Sequence, residues 1–188
     1  MRLVKGKYVA PHEIVGSNYN SSQDGQKVVG AGTDKTARLL DLGSGAPAQQ
    51  VAVHNEPVRS VRFFEAPNTN ALMIVTGSWD KTVKYWDLRQ STPVASLTCD
   101  ERVYSMDVQD KLLVIATADR NLQVVDLNNP TTFFKSIPST LKHQTRVVSC
   151  FIDSSGFAVG GIEGRCGCQH VAEKDLRYVF DNQSILGY

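Results

Sequence analysis

Net charge, long apolar runs and helical patterning are all scarce in this chain, and each shortage closes off a class of protein. Lys and Arg total 20 against 19 Asp and Glu, a formal net charge of +1, and 41% of the residues are hydrophobic. That balance excludes a charged disordered tail and a surface generally coated by nucleic acid. No apolar stretch approaches the ~18–20 residues of a membrane span, and the first residues lack a signal-peptide hydrophobic region. The four cysteines, Cys99, Cys150, Cys166 and Cys168, have no disulfide-framework spacing, as expected of a reducing compartment. No segment carries an apolar stripe at helical period with caps. Catalytic signatures are equally scarce. There is no Gly-x-Ser-x-Gly elbow, and Gly30-Ala31-Gly32 with Lys35 lacks the third glycine and the following helix of a phosphate loop.

What the chain has is one phrase written four times. Ala31-Gly32-Thr33-Asp34-Lys35-Thr36-Ala37-Arg38-Leu39-Leu40-Asp41-Leu42 returns as Gly77-Ser78-Trp79-Asp80-Lys81-Thr82-Val83-Lys84-Tyr85-Trp86-Asp87-Leu88. It returns more loosely from Ala116 to Leu127 and faintly from Gly161 to Val171. The acidic turn residue steps from Asp34 to Asp80, Asp119 and Glu163 by 46, 39 and 44, and the end of the next strand (Asp41, Asp87, Asp126, His170) steps identically. The extra length of the first step points to the loop from Glu65 to Ala71. Continuous apolar runs such as Leu72–Val75 and Leu112–Ile115 read as strands buried on both faces. A further strand opens each unit at Val58, Val103 and Val147, with Ser60, Ser105 and Ser149 aligned at steps of 45 and 44.

A period near 40–45 residues with a Trp-Asp strand ending is the signature of a WD-repeat β-propeller blade. The expectation is an all-β chain of about four blades, part of a seven-bladed ring that needs on the order of 300 residues. Residues 26–172 form the repeats, with 1–25 as an unassigned N-terminal segment and 173–188 as an unassigned tail. Open blade edges are expected to drive oligomers or aggregates. In WD repeats a histidine, a strand hydroxyl, the turn Asp and the strand Trp form a buried relay. His54, Thr76, Asp80 and Trp86 fill those places, so they read as structural and not catalytic. Cys166, Cys168 and His170 hint at zinc, but residues two apart on a strand lie about 6.8 Å apart, farther than tetrahedral sulfurs at ~2.3 Å from zinc allow. No metal or cofactor is expected.

Several stretches are more specific than blade patterning: Asn55-Glu56-Pro57-Val58-Arg59, Ala66-Pro67-Asn68, Glu101-Arg102-Val103-Tyr104, Ala116-Thr117-Ala118-Asp119-Arg120, Leu141-Lys142-His143-Gln144-Thr145-Arg146 and Gly161-Ile162-Glu163-Gly164-Arg165. In this order the chain resembles the messenger-RNA export WD-repeat factors of the nuclear pore, with the mitotic spindle-checkpoint propellers as a sister family. Thr140 departs from the proline usual before Leu-Lys.

The resemblance implies a non-enzymatic adaptor at the nuclear pore, shuttling to the cytoplasm. It would bind an acidic, hairpin-forming GLEBS segment of a phenylalanine-glycine nucleoporin and associate with RNA. The alternative is a checkpoint scaffold binding the same kind of segment in a kinase. Arginine pairs carboxylates through two parallel bonds. Arg102 and Arg146, aligned just before successive opening strands, and Arg120 and Arg165, just after the turn acids, are expected to converge on one rim and hold that segment. Lys35 and Lys81 share the rim as ordinary turn residues.

Overall fold

The structure, a computed structural model, describes residues 3–4, 7–8, 18–67, 69–171 and 177–180. Most of the segment 1–25, most of the tail 173–188 and Asn68 of the Ala-Pro-Asn loop lie outside the described residues. Two short strands, β1 (Leu3–Val4) and β2 (Lys7–Tyr8), pair with each other. Four antiparallel sheets of four strands follow. The first holds β3 (Asn18–Ser21), β4 (Lys27–Ala31), β5 (Thr36–Asp41) and β6 (Gln49–Val53). The second holds β7 (Val58–Glu65), β8 (Leu72–Ser78), β9 (Thr82–Asp87) and β10 (Ala95–Thr98). The third holds β11 (Val103–Gln109), β12 (Leu112–Thr117), β13 (Asn121–Asp126) and β14 (Lys135–Pro138). The fourth holds β15 (Thr145–Cys150), β16 (Gly156–Gly161), β17 (Cys166–His170) and β18 (Arg177–Phe180). Among the described residues there is no helix. The chain is a partial WD β-propeller.

The core is three separate layers, each between consecutive sheets. Val29, Ala31, Ala37 and Ala52 of the first sheet meet Val58, Val61, Ile74 and Trp86 of the second. Val75, Val83, Tyr85 and Leu97 meet Met106, Leu113, Ile115 and Val125. Leu112, Val114, Leu122 and Val124 meet Val148, Phe157 and Val159 of the fourth. Strand β12 shows how the sequence does this. Its six residues are all buried, and side chains alternate between faces along a strand. Leu113 and Ile115 therefore enter the layer before the sheet, while Leu112, Val114 and Ala116 enter the layer after it.

The first sheet opens at Asn18, inside the segment set apart from the repeats, and the fourth is completed by Arg177–Phe180 from the tail. Asn18–Ser21 is polar and has no apolar run to announce it, whereas the last strand carries the short run Tyr178-Val179-Phe180. The six residues Ala66–Ala71 join β7 to β8 where two residues join β11 to β12, so this loop lengthens the second repeat as expected.

One reading of the opening strands is overturned. Val58 faces Ser78 and Val103 faces Thr117, but in the fourth sheet it is Thr145, not Val147, that faces Gly161. Val147 takes the place of Ser60 and Ser105, and Ser149 lies two residues farther on and exposed. Alignment on serines misplaced the strand because the register follows the inter-strand pairing and not the hydroxyls.

The first strand of each sheet has a free edge. Its backbone groups find side chains of the neighbouring sheet. Phe63 N–H donates to Asn20 Oδ1 at 2.8 Å, and Cys150 N–H donates to Asp107 Oδ2 at 2.9 Å. Val148 N–H donates to Ser105 Oγ at 3.1 Å. Arg62 ties three sheets together: Nη1 donates to Asn18 Oδ1 at 2.6 Å and Nε to Asp107 Oδ1 at 2.8 Å. With side chains only 15% and 20% exposed, the Arg62–Asp107 pair is largely shielded. Asp107→Ala leaves Arg62 Nε and the Cys150 amide without their acceptor and is expected to lower stability by about 2–4 kcal/mol, whereas Asp107→Asn keeps an acceptor and loses less. Urea midpoints of the two variants check this.

Candidate functional site

The turn acids recur with one geometry. Asp34, Asp80 and Asp119 each accept the backbone N–H two residues on, at 3.2, 3.0 and 3.3 Å. The residue between, Lys35, Lys81 or Arg120, has φ near +70° (70°, 67° and 66°), and Gly164 takes the place with φ of 75°. The cations at this left-handed position reach the loop before the next sheet. Lys35 Nζ lies 3.8 Å from Glu56, Lys81 Nζ donates to Glu101 at 2.8 Å, and Arg120 Nη1 donates to the Lys142 carbonyl at 2.7 Å.

His54, Thr76, Asp80 and Trp86 form a continuous hydrogen-bonded chain. Asp80 can only accept. Burial works against its charge, but donation from Thr82, the Asn55 amide and His54 outweighs this and holds the carboxyl at about 2. His54 Nδ1 therefore carries the proton and donates to Asp80 Oδ2 at 3.0 Å. Nε2 is left to accept from Thr76 Oγ1 at 2.7 Å, and that hydroxyl accepts from Trp86 Nε1 at 2.8 Å. Burial depresses the His54 pKa more strongly than the neighbouring Asp80 raises it. A neutral imidazole locked between two partners, with Thr76 fully buried, has no open position for a substrate. In the third sheet Ile115 and Val125 stand where Thr76 and Trp86 do, and the layer there is hydrocarbon.

The four rim arginines are in different situations. Arg102 lies with its guanidinium carbon 5.9 Å from the centre of the Trp79 ring. Arg120 is engaged by the Lys142 carbonyl. Arg165 lies 3.8 Å from Glu163, which is also 3.7 Å from His143. Arg146 is exposed, and among the described residues no carboxylate or carbonyl holds its guanidinium. The supposed equivalence of Arg102 and Arg146 fails for the reason that Ser149 was misplaced. Arg146 is the second residue of β15, so it matches Arg59 and Tyr104, and Gln144 matches Arg102.

That correction brings out residues the sequence reading passed over. The pairing of the opening strand skips one residue in the second, third and fourth sheets, between Val58 and Ser60, between Val103 and Ser105, and between Thr145 and Val147. The skipped residues are Arg59, Tyr104 and Arg146. A bulge leaves its extra residue outside the ladder and re-aims its side chain. All three line one cavity of about 230 Å³, together with Trp79, Gln144 and Thr145. Trp79 meets Arg102 of the next sheet but stays 39% exposed. The one trace in the sequence is the shared position behind the first residue of each opening strand. Cys166, Cys168 and His170 lie on β17, and among the described residues no three His, Cys, Asp or Glu side chains gather to hold a metal ion.

Comparison with known proteins agrees with this architecture. The family described as WD domain, G-beta repeat matches residues 45–87. The mRNA export factor GLE2 of Chaetomium thermophilum is 54% identical over 171 residues, 91% of this chain and 47% of that protein. The WD40 repeat protein poxJ of Penicillium oxalicum is 57% identical over 161 residues, 85% of this chain and 47% of that one. The Poly(A)+ RNA export protein of Schizosaccharomyces pombe is 49% identical over 175 residues, 93% and 49%. The chain thus spans about half the length of the curated relatives it matches.

The relay makes stability depend on pH in two steps. The unfolded chain takes up a proton at His54 near 6.5 that the folded chain resists, so stability falls as pH drops below about 6.5. Asp80 titrates near 3.8 when unfolded and about 2 when folded, giving a second loss between those values. Asp80→Ala is expected to lower stability by about 1–3 kcal/mol at neutral pH and to shrink the second step without removing it, because Arg89 also holds the Asp87 carboxyl at about 2. Denaturant melts of both proteins across the pH range measure it.

Proposed function

We propose that this chain, which belongs in sequence with the messenger-RNA export WD-repeat proteins over about half their length, works as a non-catalytic adaptor in the export of poly(A) messenger RNA from the nucleus. It docks at the nuclear pore on an acidic GLEBS-type segment of a phenylalanine-glycine nucleoporin. The kinship with proteins named for RNA export supports the process. The observation that carries the docking surface is Arg146, an exposed guanidinium with no carboxylate or carbonyl holding it among the described residues.

Arg102 lies on the Trp79 ring and has no carboxylate holding its guanidinium among the described residues, so a partner's acid can take it up. Arg165 and Arg120 contribute from beside their present contacts, Arg165 by exchanging Glu163 for a carboxylate of the partner. Bidentate pairing with carboxylates is what a guanidinium does best, and an acidic segment crossing this face meets four of them. The relay residues His54, Thr76, Asp80 and Trp86 hold the second sheet and take no part in contact with the segment.

Isothermal titration of an acidic GLEBS-type peptide into the chain tests the reading. Arg146→Ala is expected to weaken binding by about 2 kcal/mol or more if the pair is desolvated, and Arg165→Ala by less, because Glu163 already shares that guanidinium. Lys81→Ala, whose cation is committed to Glu101, is the control and binds like the parent. Parental binding by both arginine variants, with unchanged melting, sinks the site.

A further inference from the structure

In the first three sheets the loop from the third strand to the fourth begins on an acid. Asp41, Asp87 and Asp126 each accept the backbone N–H two residues on, at 2.9, 3.0 and 2.9 Å. Hydroxyls then close two of the loops. Ser44 Oγ donates to the Asp41 carbonyl at 3.2 Å, and Thr131 and Thr132 donate to the side chain and the carbonyl of Asn129 at 3.4 and 3.5 Å. The loop after Asp87 is closed by a guanidinium instead. Arg89 Nε donates to Asp87 Oδ1 at 2.9 Å and Nη2 to Oδ2 at 2.6 Å. The hydroxyls of Ser91 and Thr92 are left over: both residues are exposed, and among the described residues neither hydroxyl has a hydrogen-bond partner.

We propose that Thr92 is a phosphoacceptor for a proline-directed protein kinase. Pro93 follows it, and of the seven prolines in the chain this is the one that comes directly after a serine or threonine. A proline has no N–H, so the residue behind the acceptor strands no donor against an apolar kinase surface. It also disfavours a helical turn at Thr92, and a kinase groove takes its substrate extended. Lifting the loop into such a groove breaks little. Gln90 N–H donates to the Asp87 carbonyl and Val94 N–H to the Tyr85 carbonyl, both at 2.9 Å, while Ser91, Thr92 and Pro93 make no backbone hydrogen bond among the described residues. In the transfer Thr92 Oγ1 attacks the γ-phosphorus of ATP, the bond to ADP breaks, and the hydroxyl proton passes to the catalytic Asp of the kinase. The loop thereby gains about two negative charges at neutral pH. It lies at the far end of β9 from the Asp80–Lys81 turn, about 17 Å away along a strand of six residues. The site is therefore separate from the arginines of the docking face.

Incubation of the full folded chain with magnesium ATP and a purified cyclin-dependent kinase tests this, with intact-mass and fragment mass spectrometry as the readout. The chain is expected to gain the mass of one phosphate, carried on Thr92. Thr92→Ala is expected to abolish the gain, Thr92→Ser and Ser91→Ala to keep it, and Pro93→Ala to slow it by about tenfold or more. Should Pro93→Ala lower the melting midpoint, Thr92→Val decides in its place: it removes a hydroxyl that holds nothing in the fold, and it must remove the phosphate. A synthetic peptide of residues 88–97 shows whether the fold presents the site, and the folded chain is expected to react at a rate within about tenfold of it. A folded chain that takes up no phosphate overturns the proposal, whether or not the peptide reacts. Phosphate found on another residue overturns it too, as does a gain of mass that survives Thr92→Ala. Arg146→Ala and Arg165→Ala are expected to be phosphorylated like the parent, so this site and the acidic-segment face stand or fall separately.

Discussion

The first strand of every sheet lies at an edge, and its outward backbone groups must be satisfied by something other than a neighbouring strand. The rest of the structure depends on how that need is met. A buried amide without an acceptor costs about 1–3 kcal/mol, and these strands present such amides in the middle of the packed sheets. The solution is to place an acceptor side chain on the preceding sheet at the right height: Asn20 for the amide of Phe63, Ser105 for Val148, Asp107 for Cys150. Arg62 then reaches to both sides and couples three sheets through Asn18 and Asp107. The apolar layers between sheets supply most of the burial, but hydrocarbon packing is non-directional. The polar seam is what sets one sheet at a defined height against the next.

The functional face follows from that height. Once the opening strands are held level, the bulges in β7, β11 and β15 deliver their extra residues to the same place, and Arg59, Tyr104 and Arg146 meet around one cavity. The turn cations act in the same sense from the other end of each repeat. Lys81 and Arg120 stand at left-handed turn positions and bond to the loop before the following sheet, which fixes the loop that carries Arg102 and the loop that leads into Arg146. Positive charge on this face therefore has two uses. Some of it closes the seams between sheets, and the part that no acid among the described residues neutralises is what the proposed partner would take up.

Much of the fold was legible because its signals are local. A turn that needs an acceptor and a left-handed residue selects Asp followed by Lys, Arg or Gly, so the turn acids could be found by period alone. The double-faced burial of β12 is written in its unbroken apolar run. The relay was legible because its four polar residues are chemically conspicuous. What escaped has physical reasons. Asn18–Ser21 is polar because its role is to offer acceptors, and a strand chosen for acceptors does not look like a strand. The bulges have no compositional mark, so Arg59 and Tyr104 were passed over. The serine alignment that set Arg146 against Arg102 followed a residue type, while the pairing followed Thr145.

The central claim, that side-chain acceptors on one sheet hold the inner strand of the next, is tested most directly by native-state hydrogen exchange at two amides, Phe63 and Cys150. If the seam is as described, both exchange only through global unfolding, as slowly as the amides of the enclosed strand β12, and Asn20→Ala frees Phe63 while leaving Cys150 protected. Exchange of either amide in the parent protein at the rate of an exposed loop, or equal protection of Phe63 with and without the Asn20 side chain, contradicts it.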